Sequence, residues 1–327
     1  MKRLFSAIQP SGILHIGNYI GAMHQFVNMQ KEHDAIFCVV DYHSITVPQE
    51  PKALRQNILN LAAMYLACGV DPSHAILFQQ SRVSEHTELA WIFQTIARMS
   101  ELERMTQYKD KALVRKQNVS AGLFAYPCLM AADILLYDTD VVPVGEDQKQ
   151  HVELARDIAE RFNKQFGPVF KLPEVKIKKE GARIMGLDDP LKKMSKSSEN
   201  PKSYIALTDD DASIEKKIRS AVTDSGTEIV YSKDRPAISN LMTIMSSVTG
   251  KNIKQIESEF NKKGYKEFKD ALAKDVINFV SPIRSKYEKL IQDEAVIIKI
   301  LDNGAKKAKS IAEKKMAQIK KAIGVAV

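Results

Sequence analysis

Three stretches of the chain carry side chains whose types and spacing could do chemistry. The first is Gln9-Pro10-Ser11-Gly12-Ile13-Leu14-His15-Ile16-Gly17-Asn18, lying between an apolar run, Leu4–Ile8, and a helical pattern from about Gly17 to Lys31. Backbone N–H groups at such a turn, together with a helix N-terminus, can meet a phosphate chain. Gly12 and Gly17 remove side chains that would keep a flat ring or a phosphate off the main chain. An ordinary tight turn between strand and helix would use the same small residues. The second stretch is Lys193-Met194-Ser195-Lys196-Ser197, a Ser-rich loop ahead of Asn200-Pro201. Lysine is a mobile point charge suited to a moving polyphosphate, although a solvated basic loop has the same composition. The third is Asp133, in the helical pattern Leu123–Tyr137. Tyr126, Met130, Asp133 and Tyr137 recur at four, three and four residues, so they share one face. A mid-helix acid flanked by Ala131, Ala132, Ile134 and Leu135 needs a partner, because an ionised carboxylate is rarely buried alone.

The elements that must position these groups can be read from periodicity. Leu4–Ile8, Ala35–Asp41, Ala75–Gln79 and Val141–Val144 are short, nearly continuous apolar runs, the pattern of strands buried on both faces. Between them lie helical patterns at Pro51–Cys68, Glu85–Arg104, Leu123–Tyr137 and Asp147–Phe166. The alternation predicts an α/β fold with a Rossmann-like, doubly wound parallel sheet, in which ligands bind at the carboxyl ends of the strands. Gln9, Asp41, Tyr42, His43, Gln80, Gly145 and Asp147 all fall there. After about Gly186–Pro190 the texture becomes helical: Ser213–Val222, Asn240–Val248, Lys251–Phe260, Tyr265–Leu272, Ser281–Asp293 and Ile298–Ile323. The expected organisation is a domain over 1–188 and an α-helical C-terminal domain over 189–327. The lysine loop opens the second domain, and its last helices are expected to pack back on the first.

Composition narrows the class. The 327 residues are 44% hydrophobic and 27% charged, as in a soluble globular protein, and no run of eighteen apolar residues predicts a membrane span. The N-terminus enters a strand with no secretory h-region. Cys38, Cys68 and Cys128 lack metal or redox spacing and read as buried thiols of a reducing cytoplasm. Residues 191–327 hold 27 Lys and Arg against 18 Asp and Glu, a net of +9, so the first 190 residues carry −1. That asymmetry fits a polyanionic partner.

The first two stretches resemble the signature motifs of the class I aminoacyl-tRNA synthetases. His15-Ile16-Gly17-Asn18 is similar to the HIGH motif, with Asn18 at its last position, and Lys193–Ser197 is an unaltered KMSKS. Over essentially its whole length the chain resembles the bacterial tryptophanyl-tRNA synthetase family, most closely at Phe5–Gly21, Ser120–Tyr137, Asp140–Glu153, Gly181–Leu187 and Lys193–Asn200. HIGN is usual in that family, whereas Ala7 stands where Gly is more common.

The resemblance implies ATP, L-tryptophan and tRNA(Trp) as partners, Mg²⁺ with the ATP, a homodimer, and a cytoplasmic site of action. No protein-bound structural metal is expected. It implies that Lys193, Lys196 and Asn18 are catalytic. It also implies an ATP site of Gln9, Pro10, Ser11, Gly17, Asn18, Gly145, Glu146, Asp147, Ile184, Lys193, Met194, Ser195, Lys196 and Ser197. In that site Asp147 would take ribose hydroxyls and the Ile184 backbone the adenine. Read from the residues alone, Gly145–Gln148 would serve equally as an acidic first helical turn. For tryptophan it implies that Asp133 accepts the indole N–H while Phe5, Met130, Val142 and Val144 enclose the ring, with Tyr126 and His43 nearby and Gln148 on the α-amino group. An indole buries roughly 150–250 Å², worth on the order of 4–6 kcal/mol as an upper estimate. Phenylalanine would forfeit part of that and leave Asp133 unpaired. Three other readings stay open on residues alone: a tyrosyl-tRNA synthetase, a small nucleotidyltransferase and a non-catalytic tRNA-binding paralogue. The apolar set Leu89, Ile92, Phe93 and Ile96 would serve a subunit contact or a buried helix.

Overall fold

A computed structural model describes residues 1–109, 119–145, 148–177, 183–196, 198 and 200–326. Five parallel strands form one sheet: β1 (Arg3–Ile8), β2 (Asp34–Val39), β3 (Ile76–Gln79), β4 (Val141–Val144) and β5 (Glu174–Ile177), in the order β3-β2-β1-β4-β5. Side chains alternate between two apolar layers. Leu4, Phe37, Val39 and Leu77 enter one; Phe5, Ile36, Cys38 and Phe78 enter the other. Both faces are covered, which is why these strands read as continuous apolar runs.

The strand order reverses between β1 and β4, where the ladder is carried by Leu4↔Val141. Past that pair the carboxyl ends of β1 and β4 line a crevice, the position an open α/β sheet offers to a ligand.

The longer helices are α1 (Pro51–Ala67), α2 (Glu85–Gln94), α3 (Met99–Glu103), α4 (Ala121–Leu135), α5 (Lys149–Phe166), α6 (Asp211–Arg219), α7 (Pro236–Thr249), α8 (Ile253–Glu259), α9 (Tyr265–Ile291) and α10 (Glu294–Ile323). Their starts follow local signals. Pro51 occupies the first turn of α1 while Glu50 accepts the Ala53 N–H at 2.7 Å, and Ser120 Oγ accepts the Leu123 N–H at the head of α4. None of the described helices is long and apolar enough to cross a membrane. The three cysteines are free and buried.

Three expectations are corrected. Glu85–Arg104 is two helices, because the Thr95 hydroxyl takes the Ile92 carbonyl at 2.7 Å and Arg161 takes that of Ile96 at 2.9 Å. Glu101 then accepts the Arg98 N–H at 3.0 Å at the head of α3. Tyr265–Leu272 and Ser281–Asp293 are one helix, α9, running through Pro282. The edge strand β5 has no counterpart among the predicted strands.

The face weighed as a subunit contact lies inside the chain. Leu89 and Phe93 are fully buried, and Ile92 and Ile96 pack on the same core. Trp91, on the opposite side of α2, is 67% exposed, and Met99 beyond it 64%.

The last helix crosses the sheet edge. Ile297 and Leu301 of α10 join the first apolar layer, and Ala305, Ala308, Ala312, Met316 and Ile319 join the second. At the crossing a Cβ on Gly304 would lie 1.8 Å from the Leu77 carbonyl oxygen, so only glycine lets the helix lie this close to β3. Lys315, one of the eight lysines of this helix, is 5% exposed; it pairs with Asp138 and donates to the Val169 carbonyl at 2.9 Å.

Candidate active site

The chain leaves β1 through a turn in which the Ser11 N–H meets the Gln9 carbonyl at 2.8 Å. Gly12 has φ +106°, a conformation that side chains rarely adopt, and a Cβ there would lie 3.2 Å from Lys196 Nζ. His15 caps the next helix. Asn18 Oδ1 accepts the His15 N–H at 3.1 Å, and the helix runs as Ile16–Asn18, a π segment Tyr19–Met23, and His24–Met29. π segments of this kind recur at functional sites. The His15 ring is 4% exposed and its Nδ1 has no hydrogen-bond partner. Its pKa is pushed down to about 4, by burial first and then by the charges of Lys193 and Lys196.

The lysine loop returns to this turn through backbone bonds. Ile16 N–H donates to Ile205 O at 2.9 Å and Leu207 N–H to Leu14 O at 3.0 Å, stitching the segment after the loop to the segment after Gly12. The loop base is a narrow hairpin: Met194 N–H to Ile184 O at 3.1 Å and Gly186 N–H to Lys192 O at 2.8 Å. Asn240 of α7 clamps it, accepting the Met185 N–H at 2.9 Å and donating to the Met185 carbonyl at 3.0 Å. Met194 is buried in the core and pins the loop from below. So held, Lys196 Nζ donates to Ser11 Oγ at 3.1 Å. Partial burial lowers its pKa.

Between the two motifs and the sheet lies a cavity of about 580 Å³. Gln9, Ser11, Asn18, Ser195 and Lys196 line one part of it; Phe5, His43, Tyr126, Met130, Asp133, Val142, Val144, Gly145 and Gln148 line the rest. Phe5 is 2% exposed and stacks on Tyr137 at 5.8 Å. Tyr126 shares a 2.7 Å hydrogen bond with His151 and meets the His43 ring edge-on at 6.2 Å.

Asp133 is 2% exposed, yet it is not alone. Its carboxylate accepts from His43 Nε2 at 2.8 Å, His86 Nδ1 at 2.6 Å and Gln80 Nε2 at 2.6 Å. Burial pushes its pKa up; the hydrogen bonds from His43 and His86 outweigh that and hold it below the usual carboxylate value. The partner that the sequence left to a ligand is thus partly supplied by the protein.

Most sequence-predicted site residues therefore meet around one cavity. Pro10, Gly17, Ile184, Lys193 and Met194 do not line it. Ile184 and Met194 are core residues, Gly17 lies beneath the His15 ring, and Lys193 is exposed beside the loop hairpin. Glu146, Asp147 and Ser197 lie outside the described residues. Gln80 and His86 were missed as partners of Asp133. The signal for His86 was weak: a histidine on the same α2 face as Leu89, Ala90 and Phe93.

The fold and the paired motifs define a nucleotide-using α/β enzyme of the class I synthetase type. The family model for tRNA synthetases class I (W and Y) matches residues 1–281, and the chain belongs to that family. A tryptophan–tRNA ligase of Bacillus anthracis is 55% identical over 99% of this chain and 98% of its own. The crystal structure of tryptophanyl-tRNA synthetase from Mycoplasma pneumoniae superposes with a TM-score of 0.89 at 38% identity, covering 99% of this chain and 98% of that one. The Campylobacter jejuni enzyme complexed with ADP and tryptophan gives 0.87 at 40% identity, covering 98% and 99%. Within the family the chain stands with the bacterial tryptophanyl-tRNA synthetases.

Proposed function

We propose that the chain joins L-tryptophan to ATP, releasing pyrophosphate, and passes the tryptophanyl group from the adenylate to the 3′ end of tRNA(Trp). The observation that carries this reading is one cavity with an anion-binding part at Ser11, Asn18 and Lys196 and an apolar part that ends in Asp133. The indole would lie among Phe5, Met130, Val142 and Val144, with its N–H on Asp133. The amino acid's carboxylate, already ionised at pH 7, attacks the α-phosphorus in line, so no general base is required. The protein's task is positioning and neutralisation of charge on the phosphates. Asn18 Oδ1 is engaged by the His15 amide, so its Nδ2 is the donor for a phosphate oxygen. Lys196 starts from Ser11, and Lys193 reaches in from the loop surface.

Among the described residues no group of three or more His, Cys, Asp and Glu could hold a metal ion, and the phosphate part of the cavity carries hydroxyl, amide and ammonium groups. Mg²⁺ would accordingly ride on the phosphate oxygens and water, supplying further neutralisation there. The helical region from 189 onward would bind the tRNA and its anticodon. The net charge of +9 over residues 191–327 supports this, and binding should weaken steeply with salt. Exposed Trp91 and Met99 support a homodimer contact on that side of α2. A soluble enzyme that charges tRNA acts in the cytoplasm.

Amino-acid-dependent exchange of labelled pyrophosphate into ATP tests the reading. Exchange with tryptophan and not tyrosine is expected; the reverse preference would overturn it. Asp133→Asn should raise the KM for tryptophan at least about ten-fold while the KM for ATP moves little, because three fixed donors then meet one amide.

A further inference from the structure

Asp133 Oδ1 accepts two hydrogen bonds, from Gln80 Nε2 and from His86 Nδ1, each 2.6 Å long. Oδ2 accepts one, from His43 Nε2 at 2.8 Å. An ionised carboxylate has about four acceptor positions, so one remains, on Oδ2. Two of the donors, Gln80 and His86, are fully buried. The Gln80 amide cannot turn over, because its Oε1 accepts the Tyr42 N–H at 3.1 Å. The His86 ring lies beside Phe78 at 5.7 Å and Tyr137 at 5.5 Å, and its Nε2 is 2.7 Å from the Tyr137 hydroxyl. A neutral imidazole has one donor and one acceptor. Nδ1 faces a carboxylate and must donate; in the neutral ring Nε2 then accepts and the Tyr137 hydroxyl donates. Burial raises the Tyr137 pKa well above its ordinary value, which keeps that proton in place. The bonds thus run in one direction, from Tyr137 through His86 to Asp133.

We propose that His86, backed at Nε2 by the Tyr137 hydroxyl, is a positioning residue for amino-acid selection: it fixes Oδ1 of Asp133 so that the one remaining acceptor, on Oδ2, is presented to the indole N–H. The proposal rests on the reading of Asp133 as the indole acceptor. His86 touches no ligand; it acts through Asp133. Its physical content is rigidity. Without His86, Oδ1 keeps a single bond, from Gln80, about which the carboxylate can turn; with both donors on Oδ1 and His43 on Oδ2 it cannot follow a ligand that lacks the N–H. Such a ligand then leaves a buried acceptor unpaired, which is the costly case.

The test compares tryptophan with 3-(benzothiophen-3-yl)alanine, in which sulfur replaces the N–H, in pyrophosphate exchange by the full-length protein. The unmodified protein should prefer tryptophan in kcat/KM by about ten-fold or more. His86→Leu should shrink that preference several-fold by raising the KM for tryptophan, with the KM for ATP within about two-fold of its starting value. His86→Asn, whose amide can occupy the place of the Nδ1 donor, should restore most of the preference. Tyr137→Phe should reduce it partly, and it carries the test if His86→Leu does not fold. If the unmodified protein does not distinguish the two amino acids, the role given to Asp133 fails. If it does distinguish them and the His86→Leu or Tyr137→Phe protein keeps the full preference, the positioning role of His86 is overturned while that of Asp133 stands. Equal losses toward tryptophan and ATP in all three variants would mark His86 as structural only and also overturn it.

Discussion

Lys196 Nζ and Ser11 Oγ lie 3.1 Å apart although 185 positions separate them in the chain. The contact follows from backbone stitching: Leu14 and Ile16 bond to Leu207 and Ile205, while Asn240 holds the far side of the loop. The hydroxyl occupies a donor site that a phosphate oxygen would take over, so the ammonium waits within reach of the anion it must neutralise.

Lys196→Ala should slow adenylate formation by about 10²–10³-fold, the range seen when one preorganised charge-stabilising donor is removed. Tryptophan affinity should change little, because the indole part of the cavity is separate. Single-turnover formation of the adenylate, measured beside equilibrium binding of tryptophan, checks both. An unchanged chemical rate would remove the lysine from the phosphates.

The second prediction concerns His15. Its folded pKa is about 4 against 6.5 for a free imidazole, so the folded protein holds it neutral. Between pH 6.5 and 4 the unfolded chain binds a proton that the folded chain refuses. Stability from this residue is therefore complete above pH 6.5 and lost as pH falls toward 4, by about 3 kcal/mol. His15→Gln should flatten the acid limb of the unfolding free energy by that order. In an NMR titration of the His15 ring, Lys196→Met should move the midpoint upward without restoring 6.5, because burial is the larger cause.

A third prediction follows from the crossing of α10 over β3. A Cβ at Gly304 would overlap the Leu77 carbonyl, backbone that cannot rotate away. Gly304→Ala should cost about 3 kcal/mol or more, at the upper end for overpacked sites. Chemical denaturation measures it. A change below about 1 kcal/mol would mean the helix can lift without penalty.

These cases mark what could be read in the chain. The inner strands were legible because burial on both faces leaves unbroken apolar runs such as Ile36–Val39. The edge strand β5, Glu-Val-Lys-Ile, alternates in polarity and is short, so it left no such run. The break after α2 depends on Arg161, 65 positions from the carbonyl it takes, and α9 survives Pro282 because its apolar face is held along its length by the core. At the site, the chemistry-bearing residues were visible one by one: Asp133 on its helix face, the two motifs by their composition. The partners of Asp133 were not. His86 and Gln80 come from 47 and 53 positions away, and no local pattern marks a convergence of three elements on one carboxylate. The basic tail was legible as composition only. Its lysines differ in fate, since Lys315 is buried and Lys320 pairs with Glu88 at 2.6 Å.

Lys315 supplies the last prediction. Its stem is packed inside α10, its ammonium meets half-exposed Asp138 and the Val169 carbonyl, and the Phe170 ring lies 5.9 Å from the charge. Asp138 sits at a positive φ of 51° just beyond α4, so the lysine ties the last helix to the end of the helix that carries Asp133. Most of this residue's worth should be packing, since a paired charge at a buried site offsets little beyond its own desolvation. Lys315→Met, which keeps the volume, should cost no more than about 1–2 kcal/mol, chiefly the lost donor to Val169. Lys315→Ala adds a cavity and should cost about 2–4 kcal/mol. Urea denaturation of the two variants separates the terms. Equal losses for methionine and alanine would show that the ion pair, not the stem, holds the helix in place.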